Sequence, residues 1–171
     1  MTAISYTGVH EAGPGTNVAM NNEKSVAAVE RGIEMCSVRA GETLFGVPIM
    51  SILEILGAPA TQSVPLAPSY IGGLVHYRGE VLTAVSLRSL LGMPPYDGAS
   101  GVLVFEGPDG YFGLLVDAVG EVMTVLPEAF EANPSTLDDR RKALFAGAYK
   151  LQDGLLVMLD PDRLDPMRLS Q

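Results

Sequence analysis

Two segments of this chain repeat each other, and the repeat limits the folds open to it. Phe45-Gly46-Val47-Pro48-Ile49, followed by Ile52, Glu54 and Ile55, matches Phe112-Gly113-Leu114-Leu115-Val116, followed by Val119, Glu121 and Val122, 67 positions later. Part of a second block, residues 71–92, recurs 74 positions later at 147–164. There 155–159 parallels 81–85, and Arg163-Leu164 parallels Ser89-Leu90. The two offsets differ by seven, so the second copy holds a longer connection. Residues 133–145, with Leu137, Arg141 and Leu144 at helical intervals, supply it.

Each copy offers about five short β-prone runs and a brief helix. Pro108-Asp109-Gly110 and Gln152-Asp153-Gly154 punctuate these runs as hairpin turns. Strands this short and numerous are stable when they close on themselves and leave no edges. The expected fold is therefore mainly all-β: two five-stranded SH3/OB-like β-barrels with short helices. The first barrel is expected near residues 50–110 and the second near 111–160, with 35–45 crossing over to complete one of them. Together they make one folded region, 35–165, and two similar lobes leave a groove between them for docking. Residues 1–34, rich in Gly and Asn and poor in apolar periodicity, read as a flexible tail, as do 166–171. A short helix over 25–33 is the alternative for part of the first tail, with Val26, Val29 and Ile33 on one face.

The block 71–92 is the richer copy. It reads as strand, turn, strand and short helix, with Arg78-Gly79 at the turn and Gly92 ending the helix. An arginine on a rigid turn is a typical interface anchor. In the second copy Gln152 stands opposite Arg78 and Asp153 opposite Gly79, so the arginine belongs to one copy only. Beside it lies a span short of charge: between Glu42 and Arg78 the only charged residue is Glu54. Phe45, Val47 and Ile49 read as core. Ile52, Leu53, Leu56, Val64 and Leu66 cannot all be internal, and exposed apolar surface without charge is what interface centres look like.

Catalytic material is scarce. The chain has one cysteine and two histidines, His10 and His76, too few for a Cys/His triad or metal site. Cys36 reads as an inert strand residue, and a single cysteine fits a reducing compartment. Asp160-Pro161-Asp162 with Asp165 lacks the glycine and terminal glutamate of a calcium loop, so Asp160 reads as a helix cap with Pro161 first in the helix and Leu164 packed beneath. Gly72-Gly73 lacks the Lys-Ser/Thr of a phosphate cradle and reads as a close backbone approach. Repetition explains Glu54 and Glu121. A net charge of −9 argues against nucleic acid. No apolar run reaches membrane-spanning length and no secretory signal is visible, so the expectation is a cytoplasmic protein that is not an enzyme and needs no cofactor.

The motif order resembles one family. L-F-G-V-P-I with I-L-E-I-L, V-P-L-A-P-S-Y-I-G-G, G-L-V-H-Y-R-G-E-V-L, F-G-L-L-V-D-A-V-G-E-V and the closing L-L-V-M-L-D together resemble the CheW-like domain, over about residues 38–164. The resemblance implies two five-stranded barrels and a non-catalytic adaptor that couples methyl-accepting chemoreceptors to the histidine kinase CheA in a chemosensory array. It implies kinase contacts mainly on the first barrel and receptor-tip contacts in the groove. The matching positions are Ile52, Glu54, Gly73, Arg78, Gly79, and an edge run including Val102 and Val104. It also implies recruitment to membrane-associated receptor arrays without insertion in the membrane. His76, Thr83 and Ser86 depart from the family's usual Asn, Pro and Asp; serine retains the ability to cap the helix that follows. These departures point to a divergent member, and a scaffold of a non-flagellar pathway is the neighbouring reading. A lone regulatory lobe of a kinase or a CheV-like protein is another, although a chain ending at Gln171 leaves no room for a receiver or kinase domain.

Overall fold

In the computed structural model, residues 32–171 are described. The expected tail and its alternative helix fall on the residues before these, outside the described part, except that Ile33 and Glu34 already belong to the first strand. Twelve strands follow in order: β1 (Ile33–Ala40), β2 (Thr43–Pro48), β3 (Glu54–Gly57), β4 (Thr61–Gln62), β5 (Ile71–Tyr77), β6 (Glu80–Ser86), β7 (Gly101–Gly107), β8 (Gly110–Val116), β9 (Ala118–Val125), β10 (Phe130–Glu131), β11 (Phe145–Leu151) and β12 (Gly154–Leu159). Short helices α1 (Leu87–Leu90), α2 (Asp139–Leu144) and α3 (Pro166–Leu169) punctuate them.

The strands form two curled, barrel-like sheets with the same internal order. One runs β10-β11-β12-β2-β1-β9, the other β4-β5-β6-β8-β7-β3. The mainly-β, two-barrel expectation holds, each sheet having five longer strands or hairpin arms and one two-residue strand. The repeat explains the shared order, but the copies exchange hairpins. β1–β2 leave the first copy to pair with β9–β12, while β7–β8 leave the second to pair with β3–β6. Parallel seams join each guest hairpin to its host, Phe45 opposite Val157 in one sheet and Phe112 opposite Thr83 in the other. Thus the strand Gly110–Val116, which the repeat grouped with the second barrel, belongs to the sheet of β3–β7. Likewise β1 and β2 lie with β9–β12, so the crossing segment extends to Pro48.

Two bulges mark the copy relationship. The register shifts between Ile71 and Gly73 and again between Phe145 and Gly147, where the glycines have φ of 147° and 146°. A Cβ on Gly73 would stand 2.7 Å from Gln62 O, and one on Gly147 2.7 Å from Glu131 O. Only glycine lets β4 and β10 approach their neighbours this closely.

Three cores result. Val75, Tyr77, Leu82, Val102 and Val104 fill one sheet, and Met35, Val125, Tyr149 and Leu156 the other. The largest core, including Phe45, Leu87, Phe105, Phe112, Phe145, Leu159 and Leu164, is built from both sheets and cements them. Burying each such side chain contributes about 1.5–3 kcal/mol. Helix ends follow local chemistry: Ser86 Oγ accepts from Ser89 N, and Asp160 Oδ1 accepts from Asp162 N above a fully buried Leu164. The C-terminal segment departs from the expected tail. Asp165, itself buried, caps α3 through Met167 N, and Leu169 packs on the shared core.

Candidate functional site

The β5–β6 hairpin closes through a two-residue turn in which Arg78 has φ 49° and Gly79 φ 78°. Both central residues at positive φ make a type I′ turn, which matches strand twist and usually carries Asn-Gly. Arginine here tolerates a backbone region that costs non-glycine residues about 1–2 kcal/mol, so its side chain needs another reason to be present. That side chain is 72% exposed, its Nε 3.4 Å from Glu54 Oε2 and its guanidinium 5.3 Å from the Tyr77 ring centroid. Tyr77 meets Tyr111 edge-on at 5.6 Å. Burial, and then the neighbouring Glu54 carboxylate, raise the Tyr77 phenol pKa. An ion pair this exposed contributes at most about 1 kcal/mol to folding. Its geometric effect is larger: Glu54 and Tyr77 hold one cation out from an aromatic shelf. Exposed Tyr111 and Val81 open neighbouring parallel strands at the same end.

A second surface follows from how the chain passes between the sheets. It crosses twice, at residues 49–53 from β2 to β3 and at Asp117 from β8 to β9. The crossing at Asp117 is clasped. Arg88 Nε donates to Asp117 Oδ1 at 2.8 Å and Oδ2 at 2.9 Å, Gly41 N donates to Oδ2 at 2.7 Å, and Arg88 Nη1 donates to Pro94 O at 2.6 Å. Tyr96 lies against the guanidinium, 5.1 Å from ring centroid to Cζ. Burial acts to raise the Asp117 pKa, but Arg88 and the Gly41 N–H outweigh it and hold the carboxyl below its ordinary value. The same hydrogen bond raises Arg88.

Among the described residues the crossing at 49–53 has no such clasp. By the copy offsets, Asp162 replaces Arg88 and Met50 replaces Asp117. An open groove of about 500 Å³ results, lined by Pro48, Met50, Leu53, Phe105 and Met158 with Glu106, Asp160 and Asp162 at its rim. Met50 is 94% exposed and Leu53 47%. Large apolar side chains grouped at a groove make it a candidate docking surface.

The residues expected to form the site are only partly brought together. Glu54, Arg78 and Gly79 share the hairpin end. Ile52, at the end of the Ile49–Ser51 turn, is half-buried against the shared core. Gly73 is buried under β4 and presents no surface; its role is the bulge. Val102 and Val104 are fully buried, and β7 lies between β3 and β8, so the expected edge run is interior. β3 is the actual edge. Of the apolar residues weighed for exposure, Leu53, Val64 and Leu66 are exposed while Leu56 packs inward. Sequence reasoning missed Met50, Tyr77, Tyr111 and the Arg88–Asp117 clasp. Cys36 is buried in β1, and burial raises its thiol pKa, which suppresses the reactive thiolate. Among the described residues, no helix is long and apolar enough to cross a membrane.

Comparison with known proteins agrees with this fold. The family model for the CheW-like domain matches residues 34–166. A probable chemotaxis protein CheW of Rhizobium etli is 30% identical over 133 residues, covering 77% of this chain and 86% of that protein. The chemotaxis protein CheW of Rhizobium meliloti is 28% identical over 137 residues, covering 79% and 88%. The crystal structure of the scaffolding protein TtCheW from Thermoanaerobacter tengcongensis superposes with a TM-score of 0.70 at 23% identity, covering 79% of this chain and 93% of that one. With the duplicated strand order, the Arg78 turn and a family match spanning nearly all the described residues, the chain belongs to the CheW-like domain family and is a non-catalytic chemotaxis adaptor.

Proposed function

We propose that this chain couples chemoreceptors to a CheA-type histidine kinase, with a different surface for each partner. The observation that carries the reading is the presence of two separate surfaces bearing exposed apolar side chains on one compact unit. The Arg78–Tyr111 end, with Glu54, Gly79 and β3 and with buried Tyr77 beneath the arginine, takes the regulatory domain of the kinase, where a held-out arginine acts as anchor. The open groove at Met50 and Leu53, with Ile52 behind it, takes a receptor's helical cytoplasmic tip, whose apolar face suits a groove of this kind. The shared core supports this use of both sites, because it fixes the distance between them. The adaptor works in the cytoplasm, recruited to receptor arrays by these contacts.

Pairwise binding tests the assignment. Arg78→Ala should weaken the kinase regulatory domain by about 2 kcal/mol and leave the receptor tip unchanged. Met50→Asp should do the reverse. Loss of both partners in either variant, or of neither in both, overturns the site assignment; a wild-type chain that binds neither partner overturns the adaptor reading.

A further inference from the structure

The two copies differ most between β10 and β11. There the connection carries α2, whereas residues 63–70 join β4 to β5 without a helix. Leu137 in that insertion packs on the shared core, and with Leu91, Met93 and Val157 it walls an apolar cleft of about 280 Å³. The cleft is floored by Phe45 and Phe145, whose ring centroids are 5.8 Å apart. At its rim stands Arg141, 52% exposed and paired with Asp138 at 3.5 Å. Asp138 is already engaged as the α2 cap, accepting from Arg141 N at 2.9 Å. Arg140 is exposed as well, its Nη1 3.7 Å from where a Cβ on Gly92 would stand, and among the described residues it meets no carboxylate. Lys142 faces Asp139 at 3.9 Å and donates to Ser135 O. In a chain of net charge −9, Arg140, Arg141 and Lys142 here outnumber Asp138 and Asp139, and Arg141 lines the cleft itself.

We propose that this cleft docks an acidic, apolar peptide segment of a partner protein. Aliphatic or aromatic side chains of the segment enter over Phe45 and Phe145, and its carboxylates pair with Arg140 and Arg141. Guanidinium forks suit carboxylates, and the apolar floor selects against a merely acidic chain. The cleft shares no lining residue with the open groove or with the Arg78 end, so the proposal does not depend on the adaptor assignment.

The test uses the full chain and a short fluorescein-labelled peptide alternating Glu with Leu and Phe, read by fluorescence anisotropy. Saturable binding is expected. It should weaken about tenfold in Arg140→Ala/Arg141→Ala and with a Gln-for-Glu peptide, and weaken further as salt rises. Leu137→Ser should weaken it by a similar factor, with retained folding confirmed by circular dichroism. Met50→Asp should leave it unchanged. Absence of saturable binding, equal binding by the double arginine variant, loss through Met50→Asp, or equal displacement by a single-stranded oligonucleotide would each overturn the proposal. Receptor-tip and kinase binding measured on the same variants separates this failure from failure of the adaptor reading.

Discussion

The clasp at Asp117 makes a quantitative prediction about what joins the two sheets. Arg88 and Asp117 have side chains 17% and 10% exposed, so their ion pair is largely out of water. Asp117→Ala removes the two contacts to Arg88 Nε and the acceptor for Gly41 N, and leaves the guanidinium with Pro94 O as its remaining hydrogen-bond acceptor. Hydrogen bonds to charged groups contribute about 1.5–3 kcal/mol, and leaving one partner of a buried pair unmatched costs about 3–5 kcal/mol. Allowing for residual exposure, Asp117→Ala should destabilise the fold by about 3 kcal/mol, or roughly 10 °C in Tm. Urea unfolding of Asp117→Ala, Arg88→Ala and the double variant completes the cycle. The double loss should fall short of the sum of the singles by at least about 1.5 kcal/mol. The pH dependence has a definite sign. Because the folded pKa of Asp117 is depressed, its stabilising contribution is present above the ordinary carboxylate range and is lost as pH falls through the folded value. The gap between wild type and Asp117→Asn should therefore narrow in acid. An Asp117→Ala variant within about 0.5 kcal/mol of wild type, or additive singles, would refute the clasp.

Other consequences are simpler to check. Gly73→Ala and Gly147→Ala should each destabilise by about 1–3 kcal/mol in thermal unfolding, because each places a methyl against backbone at a bulge with positive φ. Met50→Asp and Leu53→Asp should leave Tm within a few degrees of wild type while abolishing receptor-tip binding, since both side chains are exposed in the folded protein. Cys36 should resist thiol reagents in native buffer and react fully in denaturant, because only 1% of it is exposed.

Much of this fold was readable in the residues, and the failures have physical causes. The repeat offsets identified equivalent strands correctly, since β5, β6 and α1 recur as β11, β12 and the turn before Leu164. They could not say which of two equivalent sheets a hairpin would join. The single residue between β8 and β9 decides that by sending the chain into the other sheet. Val102 and Val104 carried a usable signal: Gly101 to Phe105 is buried throughout, and an unbroken apolar run marks an interior strand. Asp165-Pro166 repeats the cap-and-proline pattern of Asp160-Pro161, which was enough to foresee α3. The turn cation at Arg78 was legible because hairpin chemistry is local. The Arg88–Asp117 clasp was not, because its members lie 29 residues apart and meet only through topology. Met50 carried no signal of its own in the sequence, because its exposure follows from where the chain crosses between the sheets.

An adaptor with two separate surfaces holds two partners at once. Size-exclusion chromatography with mass determination, on wild-type chain mixed with an isolated kinase regulatory domain and a receptor cytoplasmic hairpin, measures this directly. The expected result is one ternary peak containing all three. Arg78→Ala should remove the kinase domain alone from it and Met50→Asp the receptor alone. Binary complexes that exclude each other, with either partner displacing the other from the chain, would contradict the two-surface adaptor.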